Sequence, residues 1–252
     1  MKKFSLAILI STAVVGTSFA IPGIDLKVGA GYINLSPSGW VKYKGNQVDV
    51  KNDLHWGDSG NINAYLELGL PILPNIKVEY LPAKYDGTGK ITKTFKFGDY
   101  TFTASDNIYS KLKLDQYYLS LFYNLPIPFV KPRIGVAVDY ADGYAYVKSL
   151  TTGQEDRADF KAPIPMAYLG LHASVPKLPI EFDFEGKGIA YKGNRLIDIK
   201  AMGMFTLIGI PLIGKAYVGG GYRYQKIKLD DIDNVYSDLK FKGFFGEVGV
   251  EF

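Results

Sequence analysis

Three residues in one short stretch combine carboxylates with an imidazole. Asp53, His55 and Asp58 lie within six positions of each other, and Ser59 follows directly. A carboxylate beside an imidazole can do general-base work, and a hydroxyl beside such a base can act as a nucleophile. A serine mechanism also needs a separately held base and orienting acid, and Asp-Ser-Gly is ordinary turn chemistry. The carboxylate and imidazole pair is therefore the stronger catalytic hypothesis, and it requires a scaffold that fixes this stretch.

The segments that would hold these residues alternate strictly between apolar and polar side chains. The alternation is clearest at 76–80, 133–140, 180–185 and 197–201. A period of two predicts β-strands with one apolar face. Tyrosines at strand ends, such as Tyr80 and Tyr140, suit the aromatic girdles of a membrane barrel.

The connections between strands alternate in length. Short turns containing proline occur at 70–75, 125–128, 175–179 and 210–214, and long polar stretches occur at 36–60, 82–112, 147–162, 187–196 and 230–238. Short periplasmic turns opposite long extracellular loops are typical of outer-membrane barrels. The sequence thus predicts an all-β, closed, antiparallel transmembrane β-barrel of ten strands at 24–35, 61–70, 75–82, 112–124, 131–146, 163–175, 179–187, 196–209, 215–229 and 239–252.

The N-terminus has the pattern of an export signal. Lys2 and Lys3 precede an apolar run that ends in Thr17-Ser18-Phe19-Ala20. This run is too short to cross a bilayer as a helix. We expect residues 1–20 to be a signal peptide and residues 21–252 to form an outer-membrane β-barrel.

Composition excludes several classes of function. The chain has no cysteine, and its formal charge of +4 falls to +2 without Lys2 and Lys3. No disulfide framework, cysteine metal site or nucleic-acid-binding motif is expected, and we expect no cofactor and no metal.

The C-terminal segment alternates up to an aromatic end. Phe244, Val248, Val250 and Phe252 share one face. A terminal Phe with such alternation resembles the insertion signal that the outer-membrane assembly machinery reads. We therefore expect the protein to meet that machinery and periplasmic chaperones, and to reside in the cell outer membrane of a Gram-negative bacterium.

The hairpin at 65–77 carries a family resemblance. A strand runs into Pro71-Ile72-Leu73-Pro74-Asn75 and out again. With the signal peptide and the last strand, this hairpin resembles a family of small outer-membrane β-barrel proteins of unassigned activity. The resemblance implies the barrel fold and supplies no catalytic motif.

A second resemblance bears on Asp53, His55 and Asp58. Omptin proteases are ten-stranded barrels that activate water with an Asp/His pair and further acids near the outer rim. Omptins draw these residues from different loops, whereas here they share one loop, and the second histidine, His172, falls near the periplasmic end. The alternative is that this loop folds over the barrel mouth, with Trp56 anchoring it at the membrane interface.

The polar strand face should fill the lumen. In the predicted register nine acids and six bases point inward, and the principal lumen charges are Glu67, Lys77, Glu79, Arg133, Asp139, Glu181, Asp183, Lys200, Arg223 and Glu247. A ten-stranded barrel is narrow, and unpaired buried charges are very costly. We expect an ion-paired, largely plugged lumen in a non-enzymatic structural or surface-interaction protein that contacts outer-membrane lipid and lipopolysaccharide. A narrow, porin-like, cation-preferring pore and an omptin-like rim hydrolase remain as alternatives.

Overall fold

The computed structural model describes residues 24–210, 214–232 and 234–252. The expected signal peptide at 1–20 lies outside these residues, as do 211–213 of the last short turn and Asp233. Within the described ranges, no helix is long and apolar enough to span a membrane.

Ten long strands form one closed antiparallel sheet. Each pairs with its neighbour in the chain, and the last pairs with the first, so the predicted ten-stranded barrel is confirmed. Its strands are β1 (Asp25–Tyr43), β3 (Ser59–Gly69), β4 (Asn75–Lys90), β7 (Asn107–Asn124), β8 (Val130–Ser149), β9 (Glu155–Ser174), β10 (Ile180–Tyr191), β11 (Asn194–Ile210), β12 (Gly214–Ile232) and β13 (Val235–Glu251).

Three short strands lie at the end of the barrel that carries the long loops. Strand β2 (Val48–Asp49) pairs with β1, and β5 (Phe95–Phe97) pairs with β6 (Tyr100–Phe102). The other end of the barrel, where β1 begins and β13 finishes, is the periplasmic end.

The predicted strand boundaries at the extracellular end are wrong, because most strands run well past the apolar segment. Strand β4 continues to Lys90, β7 starts at Asn107, and β9 starts at Glu155. Backbone pairing does not require apolar side chains, so polar extensions stay in the ladder. The predicted loop at 187–196 shrinks to Lys192 and Gly193, whose φ angles of 46° and 83° suit a tight type I′ turn.

An apolar belt covers the outside of the wall. Val136, Leu169 and Val248 each expose 60% of their surface, and Phe244 exposes 75%. A closed barrel pairs its strand backbones internally and can therefore present such a belt to lipid. The protein is an outer-membrane β-barrel.

The ladder between β3 and β4 is incomplete. It runs only from Ala64↔Tyr80 to Leu68↔Ile76, whereas β4 pairs with β7 along its whole length. Pro82 follows two residues after the last pair and has no N–H to donate, so it suits a strand edge. Beyond this point His55 of the 44–58 loop lies against Gly87 and Gly89 in place of a strand.

Candidate functional site: the barrel lumen

Arg223 is the largest fully buried side chain of the barrel interior. It lies on β12 and exposes 1% of its surface. Its Nε and Nη2 donate to the two carboxylate oxygens of Asp198 at 2.8 and 2.5 Å, and its Nη1 donates to Glu79 Oε1 at 2.6 Å. Asp198 is on the adjacent β11, but Glu79 is on β4 across the lumen. A rigid guanidinium thus connects distant parts of the wall.

Lys187 extends this connection. Its Nζ donates to Glu79 Oε2 at 2.6 Å and lies 3.7 Å from Asp198 Oδ2. The ammonium also sits 4.2 Å from the centroid of the Tyr118 ring. Glu79 therefore accepts from two cations, one on each carboxylate oxygen.

Two further pairs complete what we call the charge network. Lys77 donates to Glu185, and Lys200 donates to Glu247 at 3.0 Å. These eight residues carry four positive and four negative formal charges: Lys77, Lys187, Lys200 and Arg223 against Glu79, Glu185, Asp198 and Glu247. Arg133, 3.8 Å from Glu185, joins them to the charges at the periplasmic mouth. Buried charges are tolerable in this form, because each acid has a cation within reach.

Asp139 is held differently from the other acids. It is fully buried, and Gln116 Nε2 donates to its Oδ2 at 2.7 Å. Gln116 also donates to the Tyr118 hydroxyl at 2.8 Å. Within the described residues, no cation lies within 4.0 Å of Asp139.

A second set of charges lines the periplasmic mouth. Arg133 Nη1 lies 3.1 Å from Asp183 and its Nη2 lies 3.5 Å from Glu67. Lys215 Nζ lies 2.5 Å from Glu181. The opening there has a volume of about 70 Å³. By that measure a water takes about 10–15 Å³, so the opening holds several waters.

His172 at this mouth completes a geometry that the sequence pattern missed. Its Nδ1 lies 3.3 Å from Asp183 Oδ2, and its Nε2 lies 3.4 Å from Ser174 Oγ. This is the order of a nucleophile, base and acid. However, Glu181 also approaches Nε2 at 3.7 Å, and Arg133 already engages Asp183. We interpret His172 as a structural link that is hydrogen-bonded to Asp183 and Ser174 and lies beside the Glu181 carboxylate. The sequence signal for this contact is the short turn at 175–179. It joins two strands so that His172 and Asp183 become direct cross-strand partners.

The extracellular half of the lumen is mainly apolar. The 44–58 loop enters the mouth and buries Val48, Val50, Leu54 and Trp56. We call these four residues the loop plug. Trp56 Nε1 donates to Ser110 Oγ at 3.0 Å.

The expectation that Trp56 anchors the loop at the membrane interface is wrong. Trp56 is 3% exposed and stacks inside the barrel on Tyr85, with ring centroids 6.2 Å apart. Tyr85 in turn stacks on Phe241 at 5.4 Å. The physical reason is that the inward-facing residues at this level, such as Leu81 and Leu114, are apolar. They make a hydrophobic well that draws the loop in.

The three residues of the rim hypothesis have separate partners. Asp53 accepts the Asp49 N–H at 2.9 Å and pairs with Lys93 at 2.9 Å. His55 Nε2 lies 3.2 Å from the Lys90 carbonyl oxygen, and Asp58 lies 3.9 Å from Lys51. These contacts fold the loop, and they do not support the omptin-like alternative. Among described residues, no group of three or more acidic or histidine side chains is arranged to hold a metal ion.

The tip of the β8 and β9 hairpin carries an exposed polar cluster. The Tyr146 hydroxyl donates to Glu155 Oε2 at 2.6 Å, and Lys148 Nζ lies 3.1 Å away. The hydrogen bond from Tyr146 and the nearby ammonium hold the pKa of Glu155 below its ordinary value. Partial burial, with the carboxylate beside it, raises the pKa of Tyr146 to about 12.

The residues of the expected insertion signal lie on the closing strand. Phe244 and Val248 face outward in the apolar belt, and Val250 pairs with Val28 of β1. The Phe252 backbone exchanges hydrogen bonds with Leu26 at 2.8 and 3.1 Å. The last residues of the chain therefore form the joint that closes the barrel.

Comparison with known proteins gives only distant likenesses. No protein-family model and no curated protein matches the chain in sequence. Among solved structures, the chain is similar to Ail of Yersinia pestis in complex with the heparin analogue sucrose octasulfate. The sequence identity is 12% and the TM-score is 0.41, and the match covers 91% of this chain and 99% of Ail. The translocator domain of the autotransporter NalP from Neisseria meningitidis is similar at 10% identity and a TM-score of 0.43, with 99% and 95% covered. These likenesses are too distant to support an argument about function.

Proposed function

We propose that the protein is a non-conducting, non-enzymatic outer-membrane barrel. Its role is to stand in the membrane as a rigid structural element whose outer face and extracellular loops make contacts at the cell surface. In this proposal the lumen is a core and not a passage. The wall contacts lipid and lipopolysaccharide, and the last strand, with Phe244, Val248, Val250 and Phe252, is read by the assembly machinery after periplasmic chaperones deliver the chain.

One observation carries the proposal: the charge network crosses the lumen. The Glu79 carboxylate on β4 is bound by Arg223 from β12 and by Lys187 from β10, each at 2.6 Å. An ion would have to break these contacts to pass, and each of these side chains is at least 95% buried. The loop plug closes the other half of the lumen above the network, with Leu54 and Trp56 buried inside the wall.

The test is the conductance of the purified barrel in a planar lipid bilayer. We expect no stepwise current at moderate voltage from protein shown to be folded by its heat-modifiable migration on a gel. The Glu79→Gln variant and a variant lacking loop residues 45–57 are measured beside it, to show whether disruption of either layer opens a path. Steady, cation-selective steps from the unaltered protein would overturn the proposal in favour of a narrow pore.

A further inference from the structure

The outer wall of strands β11, β12 and β13 carries basic residues that the register brings together. Arg195 pairs with Lys228, Lys226 pairs with Lys240, and Tyr224 pairs with Lys242. The five basic residues lie on the outward face of three adjacent strands, and we call them the basic patch: Arg195, Lys226, Lys228, Lys240 and Lys242.

The basic patch lies next to the apolar belt. Along β13, Lys242 is followed on the same face by Phe244 and Val248, which expose 75% and 60% of their surface. Along β12, Tyr222 precedes Lys226 on the same face, and its ring packs edge-on against Phe244 with centroids 5.1 Å apart. The basic groups are thus at the height where headgroups of the outer leaflet meet the wall, just outside the segment that contacts acyl chains.

The charges of the basic patch are poorly balanced by protein acids. Within the described residues, only the Lys226 ammonium has a carboxylate within 4.0 Å, which is Asp238 at 3.3 Å. Exposed Asp230 and Asp231 lie beyond the patch at the hairpin tip. Lys226 and Lys240 are direct cross-strand partners, and like charges in that arrangement repel.

The opposite wall shows that this imbalance is local. On β7, β8 and β9, Lys113 pairs with Asp115 at 2.6 Å, Lys161 with Asp142 at 3.3 Å, and Lys148 with Glu155 at 3.1 Å. These three cations are each neutralised by a neighbouring carboxylate. An unbalanced, repelling cluster at the headgroup level needs anions from outside the chain.

We infer that the basic patch binds the phosphate groups of lipopolysaccharide in the outer leaflet. The acyl chains of the same molecule would pack on the belt below, around Phe244 and Val248, so that headgroup and chains are recognised together. This inference deepens the proposed function by naming its lipid partner and residues. It does not depend on whether the lumen conducts, so the two can fail separately.

The test compares two triple variants that lose the same charge. Lys226→Gln, Lys240→Gln and Lys242→Gln together remove three charges from the basic patch. Lys113→Gln, Lys148→Gln and Lys161→Gln together remove three paired charges from the opposite wall. The probe is bis-phosphorylated lipid A, titrated into purified full-length protein in a zwitterionic detergent and measured by native mass spectrometry.

Each basic side chain near an anionic surface adds to the binding free energy. Loss of three of them should therefore weaken the affinity for lipid A on the order of 100-fold. We expect that loss in the patch variant and less than a threefold loss in the opposite-wall variant. Lipid A stripped of phosphate should bind weakly to all proteins, and inorganic phosphate should not displace lipid A. An unchanged patch variant, or equal losses in both variants, would refute the inference. Displacement by inorganic phosphate would show that the patch binds a free anion and not a lipid.

Discussion

Neutralising Glu79 should weaken the barrel more than any exposed carboxylate can. In the Glu79→Gln variant, Arg223 keeps its bidentate contact with Asp198, but Lys187 retains only acids at 3.7 and 4.0 Å. Breaking a buried pair costs about 3–5 kcal/mol, because a charge stays buried without its partner. Arg223 retains Asp198, and the new amide oxygen can still accept one hydrogen bond. We therefore expect the free energy of unfolding to fall by the low end of this range, about 3 kcal/mol. That corresponds to a change of more than 100-fold in the unfolding equilibrium.

The assay is urea unfolding of the protein in lipid vesicles, followed by tryptophan fluorescence. Trp56 is 3% exposed and should report the loss of the interior. The matched control is Glu155→Gln, which alters the same chemical group at the exposed hairpin tip and should leave the midpoint unchanged. Adding Lys187→Met to Glu79→Gln should restore part of the loss, because it removes the cation left without a close acid. If Glu79→Gln and Glu155→Gln have the same midpoint, the charge network does not stabilise the fold and our reasoning is wrong.

Two further variants test the loop plug and the closing strand. Trp56→Ala should lower the free energy of unfolding by about 3–5 kcal/mol, the usual cost of truncating a buried aromatic side chain. Thermal unfolding measures this loss, with Trp40→Ala at a half-buried position as the control. An equal loss in both variants would argue against a specific role of the loop plug. Val250→Asp should reduce the amount of protein in the outer membrane while export to the periplasm continues, because a charge on the lipid face is costly. Cell fractionation measures this, with the lumen-facing Glu251→Gln as control, and normal insertion of Val250→Asp would contradict an insertion role for the last strand.

Strand periodicity predicted the barrel and the facing of its charged residues, because alternation fixes which side of the wall a residue occupies. Arg223 and Glu79 both follow from this rule. Their contact does not follow, since they are 144 positions apart and meet only through the tilt and closure of the whole barrel. Which charged side chains meet across a lumen depends on the geometry of the whole barrel, and a local sequence pattern does not predict it.

The apolar extracellular half of the lumen was missed for a different reason. The alternation rule places apolar residues toward lipid and ends each predicted strand where a polar segment begins. Leu81, Ala83 and Tyr85 continue in phase with inward-facing Glu79, and all three are buried. Following that phase past residue 82 would have placed an apolar well inside the wall. The entry of Trp56 into the well depends on loop geometry that the sequence does not encode locally.

The incomplete ladder between β3 and β4 makes one side of this cylinder mechanically weak. Five residue pairs join these strands, against 17 between β7 and β8. Under force or thermal fluctuation, rupture should begin at this junction, and amide protons on the free edge of β4 should exchange with deuterium sooner than those facing β7. Because the loop plug abuts the same edge, its release and the parting of these two strands would be one cooperative event.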